Sequence, residues 1–252
     1  MKRQGLVKKV IVNKQGHRQT VYVKPITKLD DVKRKVQGLM KKSNYDKTLK
    51  ILNSQIDKES NPRALGAKLI IMTGMRMGNL KSAEGQRMQS GDKTFGVSTL
   101  KREHIKIKPN SVRIQFKGKK GVEHDIEIKS KKLQDQIKAV YNSGYGDTLL
   151  NVSPKQLADY IKKELKVNPK DLRTLRANII AEQESKRISK RPKPRNKSEA
   201  NKELDAIANK VAEVLGNTKG VARRSYIDAD ILDSHRANRL KKAEIFELIE
   251  TL

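Results

Sequence analysis

The stretch FGVSTLKREHIKIKPNSVRIQFKGKKGVEHDIEI, residues 95–128, decides the fold class of this 252-residue chain. Within it, apolar and polar residues alternate with the period of a half-buried strand near 103–108, 111–117 and 122–128. Pro109-Asn110 separates the first two runs and Gly118-Lys119-Lys120-Gly121 the second two, compositions that suit tight turns. The stretch therefore predicts a three-stranded antiparallel meander. Lys119 falls at a hairpin tip, where a lysine is ordinarily solvated charge, although a tip also has the reach to enter a DNA groove.

On both sides the period changes to that of helices. Downstream, helices are predicted from Ser130 to Asn142, from Ser153 to Lys166 with a serine cap and Pro154 at its first position, and from Pro169 to about Lys186. In the third, Leu172, Leu175 and Ile179 mark the buried side, so Arg173 and Arg176 are expected to flank it on an exposed face. KRISKRPKPRNK, residues 186–197, holds seven cations, two prolines and no acid, and reads as a flexible basic linker. Leu204, Ile207, Val211 and Val214 then stripe a helix from Ser198 to Leu215. A last helix, Arg236 to Leu252, ends in acidic EIFELIE and is expected to pack against basic surface.

Upstream, residues 80–94 are polar and loop-like. Asn61-Pro62 is a cap followed by a first-turn proline, opening a helix with Leu65, Leu69 and Met72 on one stripe. Arg76 continues that stripe, and with Gly78 behind it reads, on its own, as a terminal charge complementing the helix dipole. Short basic helices are predicted from Leu29 to Lys42 and from Tyr45 to Ile56, and residues 6–23 read as a hairpin about Gln15-Gly16. The expected architecture is α+β. A mainly α-helical domain with a small three-stranded antiparallel sheet covers 61–252, after a small N-terminal region, 1–60, of β-hairpin and helices.

Composition bounds the partners. Lys and Arg number 57 against 28 Asp and Glu, a formal charge of +29 spread through every segment, which is tolerated best when a polyanion supplies the missing charge. Nucleic acid is expected, rather than a membrane surface. No apolar run is long enough to span a bilayer and MKRQG leads into alternating residues, so no signal peptide is expected and the setting is intracellular, in cytoplasm or nucleoid, or virus-associated. Without cysteine there are no disulfides or thiolate zinc sites, and His17, His104, His124 and His235 lack ligand spacing, so no metal site is expected.

Five residues in four segments then combine: Arg76 in MRMGN, Lys119 in FKGKKGVEHD, Arg173 in KDLRTLRA, and Asn217 with Tyr226 in LGNTKGVARRSYID, residues 215–228. In this order, over about residues 64–232, they resemble the type IB DNA topoisomerases, in particular the compact poxvirus and bacterial forms. The resemblance implies that Tyr226 attacks a backbone phosphodiester to give a 3′-phosphotyrosyl link, that Arg76 and Arg173 clamp the nonbridging oxygens, and that Lys119 protonates the leaving 5′ oxygen. It further implies double-stranded DNA as partner, a monomer, no cofactor, and DNA contacts from Lys101, Arg102, Lys117, Lys120, Lys170, Arg176, Arg187, Arg191, Arg223 and Arg224.

Two features depart from the poxviral pattern. Asn217 stands where those members have a histidine, and an amide keeps the donor without titrating. Only a hairpin and two short helices precede the helix that leads to Arg76, where family members carry a larger, mostly β domain that closes over DNA. Tyrosine recombinases share the Arg, Lys, Arg, Tyr order, but their second arginine usually lies in an HxxR motif, and here the segment is Lys170-Asp171-Leu172-Arg173. A non-catalytic nucleic-acid-binding protein is the third reading that the charge allows.

Overall fold

The computed structural model describes residues 7–12, 18–23, 45–57, 61–86, 91–143 and 146–239. Strands β1 (Val7–Val12) and β2 (Arg18–Val23) pair antiparallel, Val7 opposite Val23, as the alternating pattern predicts. Helix α1 (Tyr45–Ile56) follows at the expected bounds and buries Leu52 and Ile56. The helix predicted from Leu29 to Lys42 lies outside the described residues.

Helix α2 (Pro62–Thr73) is the centre of the domain, with Leu65, Leu69, Ile70 and Ile71 all buried. Its start is the predicted one: Asn61 Oδ1 accepts from the Ala64 amide at 2.9 Å, and Pro62 occupies a position whose N–H would have no helical partner. Its end is not. Gly74, with φ of 74°, caps the helix in the left-handed region, so Arg76 lies beyond α2 in an irregular segment rather than in its last turn. A short helix, α3 (Leu80–Ala83), capped by Asn79, occupies part of the 80–94 stretch expected to be loop.

The meander is as predicted, β3 (Ile105–Lys108), β4 (Ser111–Lys117) and β5 (Glu123–Ile128), in sequential antiparallel order. The register sets Val112 opposite Ile128, Ile114 opposite Ile126 and Phe116 opposite His124. Val112, Ile114 and Phe116 are buried, whereas Arg113 and Gln115 face out and hold Asp125 of the neighbouring strand. Helix α4 (Lys131–Asn142) packs against β4 and β5, with Leu133 and Ile137 inward.

Helices α5 (Pro154–Glu164), α6 (Pro169–Ser189) and α7 (Lys197–Leu215) complete the core, α6 packing on α1, α2, α5 and α7. Leu172 and Leu175 are fully buried, each contributing about 1.5–3 kcal/mol on transfer from water. Segment 186–197 is not a flexible linker throughout. Lys186–Ser189 is the last turn of α6, and the carbonyls of Arg191 and Pro192 accept from Arg239 at 3.0 and 2.5 Å. Helix α8 (Lys219–Ser225) precedes Tyr226, and helix α9 (Ala229–Arg239) begins seven residues before the predicted start. The acidic EIFELIE end lies outside the described residues, and no helix among those described is long and apolar enough to cross a membrane.

A buried polar chain ties α6, α7 and α9. The Ser185 hydroxyl contacts His235 Nδ1 at 2.8 Å, and His235 Nε2 contacts Glu203 at 3.1 Å, while Glu203 also takes Arg239 on both oxygens. A carboxylate only accepts, so Nε2 carries the proton and Nδ1 accepts from the serine. Burial holds His235 and His104 below their ordinary value of 6.5, the Glu203 contact opposing this at His235. Because the unfolded chain then takes up these protons first, the neutral imidazoles contribute stability that falls as pH drops through 6.5. The urea midpoint is expected to be lower at pH 5.5 than at 7.5; a midpoint that rises on acidification contradicts the assignment.

Candidate active site

Tyr226 directly follows α8, its amide bonded to the Ala222 carbonyl at 3.1 Å, and its ring is 8% exposed. The hydroxyl is the polar end that remains to be satisfied. It accepts from Arg173 Nη1 at 2.7 Å. Contrary to the exposed face expected from the helical stripe, Arg173 is only 5% exposed and all three of its nitrogens are engaged. Nε donates to the Gly74 carbonyl at 2.7 Å and Nη2 to the Leu215 carbonyl at 2.8 Å. Leu215 is the last residue of α7 and Gly74 the cap of α2, so two helix C-termini turn carbonyls without helical partners toward the buried cation. Burial pushes the guanidinium down to about 10, the Tyr226 hydroxyl opposing this and Arg76 adding repulsion.

Arg76 is placed by backbone contacts rather than by a helix. Its carbonyl accepts from Val97 at 2.9 Å and that of Met77 from Ser98 at 2.8 Å. The two segments approach so closely at Gly96 that a Cβ there would lie 2.5 Å from the Arg76 carbonyl oxygen and from the Gly78 nitrogen. Nη2 of Arg76 reaches 2.6 Å to Oδ1 of Asn217, which follows the left-handed Gly216 at the end of α7. The amide is thereby oriented, and its Nδ2 is buried with no partner among the described residues. That leaves a donor beside Arg76 available to an anion.

Lys119 stands at the tip between β4 and β5, in a turn closed by Gly118 N to Val122 O at 2.7 Å and admitting Lys120 at φ of 64°. A cavity of about 590 Å³ is lined by Arg76, Lys119, Lys120, Lys170, Arg173 and Tyr226 among others. Lys170 Nζ lies 5.7 Å from the centroid of the Tyr226 ring. Four of the five candidate catalytic residues thus line one cavity, and Asn217 is bonded to one of them, Arg76. Cationic donors around a tyrosine hydroxyl, with no carboxylate lining the cavity among the described residues, suit a phosphodiester.

The candidate DNA contacts divide. Lys120 and Lys170 join the cavity, whereas Arg176 is largely buried, its Nε without a partner among the described residues and its pKa lowered by burial. Others are paired within the chain: Lys101 with Glu103, Lys117 with Asp92, Arg187 with Glu184 and Arg223 with Asp205. Arg102 bonds the Tyr141 carbonyl and lies over that ring, 4.3 Å from its centroid. Arg224 Nε reaches the Gly220 carbonyl at 3.3 Å, and the Arg191 side chain is exposed.

Sequence reasoning missed a second set of contacts behind the tyrosine. Asn178 Oδ1 accepts from the Asp228 amide at 2.8 Å, and the Tyr45 hydroxyl donates to Asp228 Oδ2 at 2.7 Å. A polar residue on the buried side of α6 was the available signal for Asn178. None existed for Tyr45, 183 positions from its partner.

Residues 23–251 match the family model described as the catalytic core of eukaryotic DNA topoisomerase I, and the chain belongs to that family. The DNA topoisomerase 1B of vaccinia virus (strain Copenhagen) is 29% identical over 236 residues, 87% of this chain and 69% of the viral protein. The monkeypox virus protein named DNA topoisomerase I is also 29% identical over 236 residues. The DNA topoisomerase 1B of Acanthamoeba polyphaga mimivirus is 24% identical over 162 residues, covering 58% of this chain and 48% of that protein.

Replacing Arg173 by lysine keeps a cation but not the planar fork, so at least one helix-end carbonyl or the Tyr226 hydroxyl loses its donor. Arg173→Lys is expected to lower unfolding free energy by about 1–3 kcal/mol, the range for orphaning a buried polar group. Unchanged urea denaturation would contradict the buried geometry.

Proposed function

We propose that this chain relaxes supercoiled DNA by transient cleavage of one strand through Tyr226. The contact that carries this reading is the 2.7 Å hydrogen bond from buried Arg173 to the Tyr226 hydroxyl, at the wall of a cation-lined cavity. The Tyr226 oxygen attacks the phosphorus, the bond to the 5′ oxygen breaks, and a 3′-phosphotyrosyl link forms while the tyrosine proton passes to solvent. Lys119 supplies the proton that leaves with the 5′ hydroxyl, since an alkoxide is a poor leaving group. The free 5′ strand rotates and then attacks the phosphotyrosine in the reverse step, restoring Tyr226 and the phosphodiester.

Charge on the phosphoryl oxygens grows toward the transition state, and fixed donors stabilise it without reorganising. Arg173 has five N–H donors and commits three of them to protein acceptors, which leaves one on each terminal nitrogen for phosphate. Arg76 and Asn217 Nδ2, which has no partner among the described residues, add further donors. Double-stranded DNA is the partner in this reading, a single chain the working unit, and an intracellular or virus-associated setting the place of action; the +29 charge supports the first of these.

Incubation with supercoiled plasmid in EDTA and without ATP is expected to relax both positive and negative supercoils, because the cations and Asn217 provide the stabilisation a metal would give. Strict dependence on Mg²⁺ or ATP would overturn the proposal. On a duplex with sulfur in place of the bridging 5′ oxygen at a mapped cleavage site, Lys119→Ala is expected to cleave nearly as fast as the parent chain. A thiol, with a pKa of about 8.5, leaves without a proton donor. Equal impairment on oxygen and sulfur substrates would reassign Lys119 to groove contact.

A further inference from the structure

His124 lies on the inner face of β5, half-buried, and stacks on Phe116 of β4 with ring centroids 4.7 Å apart and planes 8° apart. Its ring edge meets two glycines that are remote from each other in sequence. A Cβ on Gly118 would fall 2.7 Å from both Cδ2 and Nε2 of the imidazole. One on Gly216 would fall 2.7 Å from Cε1 and 2.8 Å from Nε2. Gly118 immediately precedes Lys119, and Gly216 immediately precedes Asn217.

The two glycines answer different demands. Gly216 sits at φ of 60°, in the left-handed region that closes α7, and favours glycine whatever its neighbours. Gly118 has φ of −91° and ψ of −174°, extended backbone that any residue adopts, so the need for glycine there comes from the imidazole alone. Val122, from the same hairpin tip, adds a methyl 3.5 Å from the Cβ position of Gly216.

We propose that His124 is a positioning residue, a wedge between Gly118 and Gly216 that fixes the spacing of the Lys119 tip from the Asn217 turn. An uncharged ring fits this place. Burial lowers its pKa from 6.5, and the nearby Arg173 and Arg76 lower it further, so at neutral pH it adds no third cation beside the guanidiniums. Held by Phe116 on one face, it transmits the position of the sheet to the end of α7. The proton donor and the phosphoryl donor are thereby kept a constant distance apart across a span of 98 residues. A displacement of about 1 Å at such a place is enough to slow a reaction by about a hundredfold.

The proposal rests on the roles read for Lys119 and Asn217, and a double-mutant cycle between Gly118 and His124 tests it. Relaxation of supercoiled plasmid and SDS-trapped covalent complex are measured for Gly118→Ala, His124→Ala, their combination and Lys119→Ala, with thermal midpoints recorded for each. Gly118→Ala is expected to be slower than the parent by roughly ten- to a hundredfold, because its methyl must displace the imidazole. His124→Ala is expected to be slow as well, and adding Gly118→Ala to it should cost at most about twofold more, the clash being gone. His124→Gln serves as the second variant if His124→Ala does not fold, with the same non-additivity expected. Additive losses, or a Gly118→Ala chain as fast as the parent, would overturn the wedge while a slow Lys119→Ala leaves the role of that lysine standing. A Lys119→Ala chain as fast as the parent would overturn both.

Discussion

The buried guanidinium of Arg173 is the constraint on which the site depends. Removing a cation from water costs several kcal/mol unless its donors are met, and here the acceptors are the Gly74 and Leu215 carbonyls and the Tyr226 hydroxyl. The two carbonyls come from helix C-termini, whose unpaired groups and dipoles would be unfavourable if they met in an apolar core. The arginine and the helix ends therefore satisfy each other. Because Arg173 lies on α6, Gly74 after α2 and Leu215 at the end of α7, the packing of the central helices sets where the tyrosine oxygen stands. A cation committed in this way cannot turn to solvent, and Arg173 also lines the cavity beside Tyr226.

The rest of the charge is managed by separation. Away from the cavity many cations are paired locally, as Arg187 with Glu184, Arg195 with Glu199 and Lys219 with Asp205. Such exposed pairs contribute little to stability, about 0–1 kcal/mol each, but they keep the excess from accumulating at one place. Among the described residues, the cavity lining holds cations, an aromatic hydroxyl and neutral groups but no carboxylate, so its walls present one sign of potential.

Much of this was legible in the sequence, and the limits have physical causes. The meander was readable because alternation and turn composition are local, and α2 began at the predicted residue because Asn61 and Pro62 act on the first turn alone. Arg76 was set on the helical stripe because spacing continues past Gly74, whose positive φ ends the helix without interrupting the pattern. Arg173 was expected outside because a charge beside Leu172 ordinarily is. Its burial depends on acceptors 99 and 42 residues away, which no window of sequence contains. Segment 186–197 looked like a linker from its prolines and cations, yet Arg239 holds its carbonyls from α9.

The most direct test of the account is the identity of the covalent link. After reaction with DNA labelled next to either end of the break, and digestion with nuclease and trypsin, mass spectrometry of the nucleotide-bearing peptide locates the attachment. The account predicts a phosphotyrosine at Tyr226 carrying the 3′ end of the cleaved strand, absent from Tyr226→Phe. Attachment at another residue, or to the 5′ end, would contradict it.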